Sequence, residues 1–192
     1  MLCNFKLVEV KTWHDGKIND NDRTNIGNPY PKVTTGLSFS ASYKGFDFNM
    51  FWYGAFGQDI YSGSRRYDLP MSNWESSVLG RWTGEGSSNS FPRVTIADPN
   101  QNFFRVSDFY VHDGSFVRLK NITLGYTLPE SISQKIKMSK LRIFVSSNNL
   151  LTITKYKGFD PEIGAKSSLD VGIDRNVYPQ ARTIIFGLNI GF

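Results

Sequence analysis

The segment 182–192 alternates side chains with a period of two: Ile184, Phe186, Leu188, Ile190 and Phe192 fall on one side, and Thr183, Ile185, Gly187, Asn189 and Gly191 on the other. Successive side chains of a strand point to opposite faces, so this spacing predicts a strand with one oily face and one small, mostly polar face. Four more segments follow the same rule. Over 33–43, Val33, Leu37, Phe39, Ala41 and Tyr43 oppose Thr34, Gly36 and three serines. Over 46–56, Phe46, Phe48, Met50, Trp52 and Phe56 oppose Asp47, Asn49, Phe51 and Tyr53. Over 116–128, Ile122, Leu124, Tyr126 and Leu128 share a face, and over 140–150 Leu141, Ile143 and Val145 do. None of the five shows the 3.6-residue period of a helix, so the chain is expected to be all-β and antiparallel.

Strands of about eleven residues are twice the usual soluble length and match a tilted strand crossing a bilayer. Composition fits such a wall, in which lumen-facing and connecting residues are polar. Mean hydropathy is -0.33, and 40% of residues are hydrophobic, yet 15% are aromatic. Rings near strand ends, at Tyr43, Phe46, Trp52, Tyr126 and Phe192, suit the headgroup level of a membrane. On this register Phe51 and Tyr53 face the opposite, inner side. No apolar run reaches the roughly 20 residues of a spanning helix.

The connections alternate in length. Lys44-Gly45 is a two-residue hairpin turn and 129–139 is short, whereas 57–115 and 151–181 are long. Transmembrane barrels have short periplasmic turns and longer external loops. With the last strand running towards the periplasm, both short connections are expected there, and 1–32, 57–115 and 151–181 are expected as external loops. Five strands do not close a barrel, so further strands are expected outside this sequence. A soluble β-rich carbohydrate-binding module is the alternative reading.

The formal charge is +5, but the basic residues are scattered, with Arg65-Arg66 the only adjacent pair. No basic stripe or recognition motif accompanies them, so nucleic acid is not an expected partner. Cys3 is alone and forms no disulfide within the chain. Met1-Leu2-Cys3 has no charged or apolar leader region, so a secretion signal is expected outside this sequence.

Several ordered motifs carry a family resemblance. They are Asp22-Arg23-Thr24 with Ile26-Gly27-Asn28-Pro29, Tyr43-Lys44-Gly45-Phe46-Asp47, Gly57-Gln58-Asp59-Ile60-Tyr61, Arg81-Trp82-Thr83 before Pro92-Arg93, Ser115-Phe116-Val117-Arg118-Leu119-Lys120-Asn121, Tyr156-Lys157-Gly158-Phe159-Asp160-Pro161-Glu162, and Tyr178-Pro179. Across about residues 15–192 the chain resembles the C-terminal part of SusC/RagA-family TonB-linked outer-membrane transporters of Bacteroidetes. The resemblance implies the last five strands of a 22-stranded barrel whose plug domain lies elsewhere. It also implies import of oligosaccharides or other large nutrients such as peptides, energy through TonB, and a SusD-like surface lipoprotein as a lid. It further makes 184–192 an assembly signal and a lipid-facing strand through Ile184, Phe186, Leu188, Ile190 and Phe192.

For a ligand above the pore, the long loops offer Tyr61, Tyr67, Trp74, Trp82, His112 and Tyr156, whose rings can stack on sugars or peptide side chains. Packing within a loop of this length is the competing use of each ring. Asp15 and Asp22 sit at the fifth and last positions of a degenerate Ca²⁺ loop. Lys11 and Trp13 occupy its first and third positions and offer no oxygen ligand, so neither Ca²⁺ nor another cofactor is expected. Asp160 and Glu162 form a carboxylate pair of the kind used in glycoside hydrolysis. Around Pro161 they read instead as loop structure, and Ser115 near His112 lacks a nucleophile elbow. The chain is not expected to be an enzyme.

Overall fold

The computed structural model describes residues 23–63, 73–96, 98, 103–164 and 170–192. Asp15, Asp22 and Tyr67 lie outside the described residues. The backbone is dominated by one antiparallel sheet of five strands, in the order β1 (Val33–Tyr43), β2 (Phe46–Phe56), β5 (Phe116–Thr127), β6 (Lys140–Thr154) and β8 (Thr183–Gly191). Three short strands, β3 (Asp59–Ser62), β4 (Val111–Asp113) and β7 (Ile173–Asp174), form a second small sheet in the order β4-β3-β7. The short α1 (Glu130–Ser133) lies in the connection from β5 to β6. No described helix is long and apolar enough to cross a membrane.

Register fixes the faces. Leu37 pairs with Trp52, Phe39 with Met50, Ala41 with Phe48 and Tyr43 with Phe46. Phe48 pairs in turn with Leu124, Leu124 with Val145, and Val145 with Phe186. Directly opposed residues share a face, so one apolar surface runs across all five strands. It is most exposed along β8, where Phe186 is 81% and Leu188 61% accessible, and half-buried at Phe48, Met50 and Trp52. On the other face Asn49 pairs with Thr123, Thr123 with Ser146, and Ser146 with Ile185. Here Thr123 and Ser146 share a hydroxyl hydrogen bond of 2.8 Å, and Asn121 Nδ2 donates to Asn148 Oδ1 at 2.9 Å.

The hairpin turn at Lys44-Gly45 has positive φ at both residues, 47° and 86°, the geometry whose twist matches the flanking strands. Nearby on the polar face, Arg142 of β6 reaches over β5 to Asp47 of β2, with Nε at 2.8 Å and Nη2 at 2.5 Å. Gly125 lies beneath this pair. A Cβ there would come within 2.5 Å of both Arg142 Nη2 and Asp47 Oδ1. The Arg142 guanidinium also sits 4.9 Å from the Phe144 ring centroid, adding a cation–π contact.

The structure differs from the sequence expectation at the end of the fourth long strand and within the loops. The fourth long strand does not stop at residue 150 but runs to Thr154, so residues 151–154, read as the start of a loop, are strand. Alternation breaks at Asn149, which has φ 52°, and then resumes. The loops also hold β3, β4 and β7, strands of two to four residues, too short for any period to reveal them.

Gly125→Leu is expected to separate Asp47 from Arg142 and to cost about 1–3 kcal/mol, as overpacking does. Gly84→Ala, where a Cβ meets nothing within 4 Å, is expected to stay within about 0.5 kcal/mol. Chemical unfolding followed by tryptophan fluorescence measures both.

Candidate functional site on the polar face

The sheet's polar face becomes charged at its long-loop end. Between Leu119 and Asn121 the register of β5 shifts against both neighbours: Lys120 is an extra residue against β2, and Asn149 and Leu150 of β6 oppose it on the other side. A bulge re-aims side chains locally. Here it places Lys120 on the same side as Arg118 and Asn121, with its Nζ 5.8 Å from the ring centroid of Tyr53.

Arg118 is 3% exposed, and the partners of its guanidinium explain how a buried cation persists. Nη2 contacts Asp160 Oδ1 at 2.5 Å, Nη1 contacts Glu162 Oε2 at 2.7 Å, and Nε donates to Thr152 Oγ1 at 2.8 Å. Lys120 Nζ bonds both Glu162 oxygens at 2.6 Å. Two cations thus meet two carboxylates, and an unpaired charge in this position would be costly.

Asp160 also accepts the amides of Glu162 at 2.9 Å and Gln180 at 2.8 Å. Burial alone would raise its pKa. The Arg118 hydrogen bond, the two amides and the Arg118 charge outweigh burial and hold its carboxyl below its ordinary value of 3.8. The segments around 160 and 180 are therefore both fastened to the wall through one side chain. Asp113, in β4, is lowered as well, by hydrogen bonds from Ser115.

Beside this cluster lies a cavity of about 200 Å³ whose lining includes Tyr30, Tyr53, Gln58, Asp59, Phe116 and Glu162. Tyr53 and Phe116 pack with centroids 5.9 Å apart. Gln58 Nε2 donates to the Gly114 carbonyl at 2.6 Å. Among the described residues no cluster of His, Cys, Asp and Glu could hold a metal ion. The Asp160–Glu162 pair that might suggest hydrolysis is engaged by Arg118 and Lys120, an arrangement suited to fastening a loop.

Comparison with known proteins places this two-faced sheet. No protein-family model matches the chain. It is 35% identical over 185 residues to TonB-dependent receptor P3 of Formosa agariphila, covering 93% of this chain and 18% of that protein. It is 30% identical over 179 residues to TonB-dependent receptor SusC of Bacteroides thetaiotaomicron, covering 93% and 17%. The fold overlays the RagAB peptide importer in its open-open state with a TM-score of 0.72 and 25% identity, over 92% of this chain and 19% of that one. The closed-closed state gives 0.73 and 26%. The chain belongs to the SusC/RagA type of TonB-dependent receptor.

TonB-dependent receptors are outer-membrane β-barrel proteins, and the five long strands are a segment of such a barrel. The chain spans less than a fifth of the length of SusC and of receptor P3. The named relatives are receptors and an importer rather than enzymes.

Within this receptor segment the candidate aromatic residues do not converge on one site. Tyr156 is buried, and its hydroxyl donates to Asp174 Oδ2 at 2.5 Å; its role here is to tie β6 to the strand β7. His112 lies 6.1 Å from the Tyr156 ring. Tyr61 packs on Tyr110 at 5.6 Å, and Trp74 meets Phe103 edge-on at 5.5 Å, within a loop core that includes Phe91 and Phe109. Trp82 remains exposed. Ile184, Phe186, Leu188, Ile190 and Phe192 are all exposed. The residues missed by sequence reasoning are Arg118 and Lys120. Their signal was two cations two residues apart at one end of a strand whose other polar residues are uncharged, which demands acidic partners elsewhere in the chain.

Arg118→Met is expected to leave Asp160 buried and unpaired and to cost about 3–5 kcal/mol, with residues 155–163 becoming protease-sensitive. Because the folded pKa of Asp160 is depressed, its contribution is present at neutral pH and fades as pH falls through the folded value. The protection factors against hydrogen exchange at 155–163, which are corrected for the intrinsic rate, should hold at neutral pH and fall as pH drops below 3.8 towards the folded value.

Proposed function

We propose that the chain supplies five consecutive wall strands and the long external loops of an outer-membrane importer for large nutrients, oligosaccharides or peptides. The observation that carries this is the single sheet with an oily, exposed outer face and a polar, ion-paired inner face. In water that outer face would associate, and a soluble carbohydrate-binding module would have no use for it. In a bilayer it is the lipid contact, and the other face lines the lumen.

In this reading the short connections at 44–45 and 129–139 lie at the periplasmic rim. The loops at 1–32, 57–115 and 155–181 lie outside, where a SusD-like lipoprotein acts as a lid. Coupling to TonB belongs to parts of the receptor beyond these strands. The RagAB neighbour is a peptide importer, which keeps peptides beside glycans as cargo. Among the described candidate rings Trp82 is the exposed one, and we assign it contact with cargo or lid.

Cysteines placed singly at Leu188 and Asn189 of the full-length receptor in cells test the topology. Lipid-soluble maleimide should label position 188 and a small hydrophilic reagent position 189. Equal hydrophilic labelling of both, or a detergent-free monodisperse chain, would sink the proposal. Leu188→Arg is expected to destabilise the inserted receptor by about 2–4 kcal/mol, read from its heat-modifiable mobility on gels. Trp82→Ala should weaken nutrient uptake or lid retention while leaving that mobility unchanged, whereas Tyr156→Phe, which abandons Asp174, should cost about 1–3 kcal/mol of stability.

A further inference from the structure

The rim formed by the short connections carries a charge imbalance that the fold does not use. Four lysines lie near it: Lys44 in the hairpin turn and Lys135 and Lys137 in the connection from β5 to β6 stand at the rim itself, and Lys140 at the start of β6 lies on the polar face with Arg142. All four are exposed, and among the described residues none makes an ion pair. The negative groups of the same rim are Glu130, which is exposed, Asp47, which is taken by Arg142, and the terminal carboxylate of Phe192, so cations remain in excess. At the opposite, long-loop end, acidic and basic residues nearly balance.

The lysines are held on ordered backbone. The Thr127 amide donates to the Gly45 carbonyl at 2.8 Å, the Leu128 amide to the Leu141 carbonyl at 2.9 Å, and the Met138 amide to the Ser133 carbonyl at 3.0 Å. Lys137 closes the short helical turns in a left-handed conformation with φ 56°. Aromatic rings stand at the same level on the oily face. Phe46 and Tyr126 are 4.5 Å apart, Tyr43 is exposed with Lys44 Nζ 5.2 Å from its centroid, and Phe192 is 94% exposed.

Rings at the headgroup level and cations just beyond them are the two components of an anionic-lipid site: the rings set depth, and each lysine adds attraction to negative headgroups. We infer that this rim is a collar that binds anionic phospholipid headgroups of the adjoining leaflet. The inference rests on the membrane-embedded reading proposed above and adds the leaflet's chemistry to it.

The experiment places the full-length receptor in nanodiscs of phosphatidylcholine doped with phosphatidylglycerol and counts retained lipids by native mass spectrometry. The expected result is retention of phosphatidylglycerol over phosphatidylcholine by roughly tenfold, falling as salt rises. The combined Lys44→Gln, Lys135→Gln and Lys137→Gln variant should lose most of that preference, and the corresponding three arginine substitutions should keep it. If the glutamine variant does not fold, the salt dependence of the wild-type preference decides. An inserted wild type with no preference, or a preference insensitive to salt and to the substitutions, overturns the collar alone. A receptor that fails to enter the nanodisc at all overturns the membrane reading instead. Binding of an acidic peptide at this rim without lipid preference also counts against the collar.

Discussion

Register is the constraint on which everything else in this sheet depends. A slip of one residue in any long strand would turn its oily side chains onto the polar face and its hydroxyls and charges outwards. The Asp47–Arg142 pair spans β2 to β6 across the intervening β5, and it forms only when all three are in step. The close approach at Gly125 makes this pair sensitive to register and to side-chain size at once. At the other end Arg118, Lys120, Asp160 and Glu162 do the same for the wall and the loop that returns to it.

These two clusters also explain how a polar face tolerates charge. A lone arginine as buried as Arg118 would be disfavoured by several kcal/mol of desolvation, and its three donor contacts offset that loss. The consequence is local rigidity. Asp160 holds the amides on either side of the long β6–β8 connection, and β7 and Asp174 pin a third point between them. The bulge at Lys120 supplies the second cation without breaking the alternation on the oily face, where Leu119 and Ile122 continue the pattern.

Much of the sheet was legible because period two runs unbroken through β1, β2 and β8 and is interrupted only once in β5 and β6. Val33–Tyr43 and Thr183–Gly191 have no competing signal. The continuation of β6 beyond Leu150 was hidden because Asn149 takes a left-handed conformation and two residues oppose one across the bulge, which cancels the alternation before Leu151 and Ile153 restore it. The small sheet escaped notice for a different reason. The strands β3 and β7 pair in parallel across more than a hundred residues, and two paired residues carry no pattern. The candidate aromatic residues show the limit most clearly. Nothing in the neighbourhood of Tyr156 in sequence distinguishes a surface ring from one whose hydroxyl is bound to Asp174, because the partner arrives from a distant segment.

The outer edges of β1 and β8 carry the remaining argument. Each is paired on one side only, so a row of amides and carbonyls faces outwards along strands of eleven and nine residues. In a bilayer each unpaired group costs several kcal/mol, and no side chain on β1 can satisfy its own backbone in an extended conformation. The oily face requires lipid, and the edges forbid lipid unless further strands cover them. Both demands are met together only by a closed sheet. The same two-faced pattern that identifies these strands as membrane wall therefore also requires that they be a part of a larger barrel rather than the whole of it.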